Sequence, residues 1–171
     1  MAKPKRPAAR TRTYTLLHEI SASRTETLPK HWQDTQLSSM WDGLAQLKQS
    51  AATTDDWRVC SDAVNLMETF ITEGPWLDCD GAQVEIQDER GLLKDAVTIM
   101  AVAGKRSRTG QPLYLDEAEA AIVAGLLEDY AALIGVLPQR TMIRCHRLTE
   151  ARLHEILAGK RKPHDVEIVT V

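Results

Sequence analysis

Apolar side chains recur every three or four residues through most of this chain, the spacing that lines one face of a helix. Leu37, Met40, Trp41, Leu44 and Leu47 form a first stripe, with Thr27-Leu28-Pro29 upstream as a start signal. Trp57, Cys60, Ala63, Val64, Met67, Phe70 and Ile71 form a second. It is capped near Thr53 or Thr54, has Asp55 and Asp56 in its first turn, and is ended by Gly74-Pro75. A polar connection around Asp78 to Gln83 leads to Leu92–Ala103, so apolar on most sides that it predicts the central helix, stopping at Gly104. Asp116, with Glu119 three residues later, predicts the capping box of a fourth helix carrying Ile122, Val123, Leu126, Leu127, Tyr130, Leu133 and Ile134. Further helical structure follows Pro138. The alternation of Val166-Glu167-Ile168-Val169-Thr170-Val171 predicts a short strand with Leu113–Leu115 as a pairing partner. The expected fold is therefore mainly α, about five helices with a short C-terminal β-strand.

Composition divides this pattern into parts. With 171 residues, 43% hydrophobic and 26% charged, the chain can bury a substantial core, and disorder throughout is excluded. The net charge of -3 hides a segregation. Residues 1–12 hold Lys3, Lys5, Arg6, Arg10 and Arg12 and no acid, which predicts a basic arm that is disordered when free. Residues 13–104 form the expected N-terminal helical body. Lys105 to Pro112 reads as an exposed basic loop between halves, and 113–171 as a C-terminal helical segment. Basic ends around an acidic body can steer a polyanion to two places. The first twenty residues lack the apolar run of a secretory signal, and Ile99–Ala103 is too short to span a bilayer, so no membrane partner is expected. Three cysteines without regular spacing fit a reducing, cytoplasmic setting.

The landmarks after Pro138 carry a resemblance. From Gln139, Met142 and Ile143 follow at three and four residues, Leu148 and Thr149 at nine and ten, Leu153 at fourteen, Gly159 at twenty and Pro163 at twenty-four. This order resembles the helix-turn-helix of the phage repressor and Cro-like family, over about 25 of the 171 residues. The resemblance implies a scaffold helix Gln139–His146, a turn at Arg147-Leu148 and a recognition helix Thr149–Ala158. It places phosphate contacts at Gln139, Arg140, Arg144, Lys160, Arg161 and Lys162, and base contacts at Thr149, Ala151 and Arg152. Thr149 is a competent N-cap, and Leu148 with Leu153 occupies the two positions of a hydrophobic staple. The same segment also reads as one unbroken helix from Pro138 to Ala158, because Met142, Cys145, Thr149, Leu153 and Ile156 recur at helical spacing. Ala103-Gly104-Lys105-Arg106 is echoed by Ala158-Gly159-Lys160-Arg161, as two helix C-termini would produce.

Chemistry-bearing constellations are sparse. His146, Glu150 and His154 lie four apart and would share one face of a continuous helix, a geometry open to a metal. No Cys-x-x-Cys or His-Glu-x-x-His accompanies them, so a solvated polar face is expected. Cys60, Cys79 and Cys145 have no ligand spacing, and Asp78, Asp80 and Glu89 match a calcium loop only until Ala82 and Gln83 break it. There is no nucleophile elbow or phosphate-binding glycine loop, and no cofactor is expected. Trp76, in Gly-Pro-Trp, is the candidate exposed partner contact. These readings converge on a small non-enzymatic regulatory protein that engages nucleic acid, DNA foremost, with homodimerisation compatible. The rival is an adaptor or inhibitor that binds an acidic or nucleoprotein partner, of the kind encoded by a phage or plasmid. Glu150 and Glu155 on the presumed reading helix favour the rival, since phosphate repels them. A metal-dependent enzyme around His146 and His154 is the third.

Overall fold

The computed structural model of the protein describes residues 13–160. The basic arm, Arg161, Lys162, Pro163 and the expected terminal strand lie outside the described residues. Within them the chain forms α1 (Leu16–Ser21), α2 (Lys30–Lys48), α3 (Thr54–Thr72), β1 (Trp76–Leu77), β2 (Gln83–Val84), α4 (Leu93–Arg108), α5 (Glu117–Val136) and α6 (Gln139–Leu157). No helix among the described residues is long and apolar enough to cross a membrane.

The striped segments fold as their patterns dictate. Pro29 opens α2; Thr53 caps α3 in a reciprocal box with Asp56, and Asp116 does the same for α5 with Glu119. The central element is α3, not Leu92–Ala103. Trp57, Cys60, Val64, Met67 and Phe70 are buried on it, and so are Ser61, Asn65, Glu68 and Thr69, because α2, α4, α5 and α6 all pack around it. In contrast α4 buries Ala96, Val97, Met100 and Ala103 and leaves Val102 exposed, so its small apolar residues serve one covered face.

Gly104 does not stop α4. A Cβ there would lie 2.7 Å from the Trp57 ring, so the glycine is what lets the indole lie against the helix. The Trp57 Nε1–H donates to the Met100 carbonyl at 2.9 Å, fixing the ring in place. Residues 105–108, expected in a loop, form the last turn of α4, where Lys105, Arg106 and Arg108 complement the helix dipole. Arg106 ties this turn to α5 through Glu119 at 3.3 Å. Helices on both sides of residues 105–112 contribute to one hydrophobic core, and Leu113 and Leu115 dock on the end of α2, with Leu115 N–H donating to Leu47 O at 3.1 Å.

Two elements were not anticipated. Helix α1 carries a capping box between Thr15 and His18, and turns Leu16, Leu17 and Ile20 outward; it is anchored by buried Glu19, which accepts from Arg147 of α6 at 2.7 Å. The Asp78–Gln83 connection is a tight hairpin. The Asp78 carboxylate accepts from Asp80 N–H at 2.9 Å and Ala82 N–H at 2.8 Å, while β1 and β2 pair antiparallel. Trp76, expected as an exposed contact, is fully buried: its Nε1–H donates to Phe70 O at 2.7 Å, its ring meets Phe70 edge-on, and the Arg144 guanidinium lies 5.6 Å from it.

The segment from Gln139 to Leu157 is a single helix, and no turn interrupts it at Arg147-Leu148. Thr149 is an interior residue whose hydroxyl donates to Cys145 O at 2.9 Å. A break would detach Met142, Cys145, Thr149, Arg152 and Ile156 from their buried places, all lying on one face of α6. Pro138 provides no side-chain cap, and the first amides of α6 are satisfied from afar. Gln139 N–H donates to Glu26 O at 2.7 Å and Arg140 N–H to Ser23 O at 2.9 Å.

Candidate functional site

The residues assigned to nucleic-acid contact are scattered by an unbroken α6. Arg152 is 3% exposed and gives its Nη2 to Glu68 at 3.0 Å and to Asn65 O at 3.2 Å. Thr149 is buried with its hydroxyl 2.7 Å from that of Thr69. Gln139 accepts from Ser23 N–H at 3.3 Å, Arg140 is half-buried, and Arg144 covers Trp76. Ala151 and Lys160 are exposed. An α-helix laid in a groove would need its reading side chains outward, and two of the three are inward.

A different site emerges where α2, α3 and α6 diverge. They enclose a cleft of about 870 Å³, within the range of ligand pockets. Met40, Ala63 and Leu66 form its buried base. Trp32, Gln36 and Ser39 come from α2, and His146, Glu150 and Leu153 from α6; these side chains sit one helical turn apart, so each helix presents a row. Tyr14 closes the rim, its ring 5.2 Å from that of His146 and its backbone N–H bonded to the Glu150 carboxylate. Tyr130 reaches in from α5. It is fully buried, its hydroxyl accepts from Gln36 Nε2 at 2.6 Å, and burial pushes its pKa far up, so the phenol keeps its proton.

The cleft shifts the groups that face it. Burial pushes the Asp62 carboxyl up to about 6, against the pull of Arg58 and with the repulsion of Glu150 added. Glu150 is raised as well, first by burial, with His154 and the Tyr14 amide opposing. Burial pushes His146 down to about 4, so its ring is neutral at pH 7. His146 keeps part of its surface accessible, so this is a wall group and not a core histidine. At the mouth Arg58 pairs with Asp55 at 3.4 Å.

His146, Glu150 and His154 do share one helix face, yet no group of three or more metal-ligating side chains forms among the described residues. The cysteines do not converge: Cys60 donates to Met40 O, Cys79 to Val136 O and Cys145 to Leu66 O. Burial raises both inner thiols, Cys60 to about 12, which leaves them protonated and inert. Sequence reasoning noted the α6 side of the cleft as a polar face. It missed Tyr14, Gln36, Asp62 and Tyr130, for which the one available signal was an acid, Asp62, between the stripe residues Cys60 and Ala63. Comparison with known protein families, characterised proteins and solved structures finds no match to this chain.

Proposed function

We propose that this protein is a non-catalytic recognition module that takes a small organic molecule into the cleft between α2, α3 and α6. The observation that carries this reading is the cleft itself, a concavity of ligand size whose base is apolar and whose walls place the Gln36–Tyr130 pair, Asp62 and Glu150 around it. Binding is favoured over catalysis because, among the described residues, no hydrogen bond joins His146 to an acid or a hydroxyl that could orient it as a base. The test uses indole, a neutral aromatic probe, followed by amide chemical shifts. Indole should move the signals of Ala63, Leu66, His146 and Leu153 together and saturably, and Leu153→Trp, which fills the space, should abolish the effect. Shifts that scatter over the surface, or that survive Leu153→Trp in a folded protein, overturn the reading.

A second reading, engagement of nucleic acid or another acidic partner, draws on one placement. Tyr14, near the start of the described residues, rests on His146 of α6; the acid-free residues 1–12 precede it in sequence, and Lys160, Arg161 and Lys162 follow α6. Contact would then be made to phosphates by the two basic ends, without base reading by Thr149 or Arg152.

A further inference from the structure

We propose that the cleft's ligand carries a cation, an ammonium or guanidinium group, held between the carboxylates of Asp62 and Glu150, with its apolar body against Tyr14 and Trp32. The assignment rests on the cleft being the binding site and names the chemistry it selects.

Asp62 projects from the middle of α3 into the cleft, half-buried, and has no hydrogen-bond partner among the described residues. Arg58, one turn away on α3, attracts Asp62, but its guanidinium pairs with Asp55 at the exposed mouth and makes no hydrogen bond to Asp62 among the described residues. Glu150 lines the same cleft from α6, its charge opposes ionisation of Asp62, and the backbone amide of Tyr14 bonds to its carboxylate. The remaining titratable groups lining the cleft are His31, His146, His154, Tyr14 and Tyr130, with no lysine, so acids outnumber fixed cations. Two carboxylates from different helices, partly stripped of water and lining one cleft, are an unfavourable arrangement that one interposed cation relieves. Bonds from N–H to carboxylate are the stronger, charge-assisted kind. The rings of Tyr14 and Trp32 line the same cleft and give apolar surface to a flat body. An anion meets repulsion from both carboxylates, and a neutral polar group leaves their charge uncompensated.

The test is calorimetric titration of the full chain at pH 7.5 with three ligands of one shape: tryptamine, the neutral alcohol tryptophol and indole-3-acetate. Tryptamine should bind at least about tenfold more tightly than tryptophol, and indole-3-acetate not measurably. In Asp62→Asn and in Glu150→Gln the preference for the amine should shrink to about twofold or less. Each neutralisation removes a partly desolvated charge, so both variants should melt at or above the wild-type temperature, which separates a ligand-holding role from a structural one. Equal affinity for tryptamine and tryptophol, or a preference unchanged in both variants, overturns the cation assignment and leaves the cleft as a site for neutral molecules. Failure of all three to bind the folded protein overturns the assignment and the cleft reading together.

Discussion

Asp62 and His146 look into the same cleft from α3 and α6, and burial displaces them so that they tilt stability in opposite directions with pH. Asp62, raised to about 6 from 3.8, holds its proton more tightly in the folded state; its contribution is full below pH 3.8 and is lost as pH rises through 6. Glu150, also raised, acts with the same sign. His146, lowered to about 4 from 6.5, contributes fully above 6.5 and loses its contribution as pH falls through 4. Between these limits the slopes oppose each other, so the native protein should show a shallow stability profile. Asp62→Asn uncovers the histidine: stability should climb by about 1–3 kcal/mol from pH 4 to 6.5, a range discounted for partial exposure. His146→Phe should turn the profile to decline over the same window. Urea unfolding at several pH values measures this, and three parallel profiles would show that neither group is displaced.

At the level of elements, α6 is held by buried polar contacts as much as by apolar ones. Arg152 and Glu68 pair at 3.0 Å with side-chain exposures of 3% and 6%. Arg152→Met alone leaves a carboxylate in the interior and should cost about 3–5 kcal/mol, while Arg152→Met with Glu68→Leu should recover most of that stability. Equal destabilisation of the single and double variants, by chemical denaturation, would assign the cost to packing. The helices that were legible in the sequence, α2, α3, α4 and α5, each carry an apolar stripe; α3 and α5 add a capping box at the start, and α2 begins at Pro29 without a side-chain cap. Helix α1 was hidden because its apolar side chains face outward, and the hairpin because two-residue strands are too short to show a period. The echoed Ala-Gly-Lys-Arg tetrapeptide shows the limit of local signals. At Gly159, φ is +68° and a helix ends; at Gly104 the same tetrapeptide lies inside one, and the glycine there makes room for Trp57. The helix-turn-helix spacing fails for a related reason: a straight helix bounded by Pro138 and Gly159 puts its landmarks at the same intervals. Half of the cleft, the polar row of α6, was visible; the other half depended on how α2 and Tyr14 lie beside it, which no local period encodes.

At the scale of the molecule, the charge segregation becomes a testable arrangement of ends and body. If the basic ends engage nucleic acid, log affinity for duplex DNA should fall linearly with log salt. Neutralising Lys160, Arg161 and Lys162 should flatten that slope by about 0.9 for each phosphate that is no longer neutralised. A slope that the triple variant leaves unchanged sinks the polyanion reading while the cleft reading stands. The backbone bonds from Gln139 and Arg140 to Glu26 and Ser23 bear on a different property, the order in which the molecule can assemble. The start of α6 has no local cap, and its donors wait for carbonyls more than a hundred positions earlier. Such distant closure raises contact order, which slows folding. The described chain is thus fastened as a loop, and α6 reaches its full hydrogen-bonded length when the segment before α2 arrives to complete it.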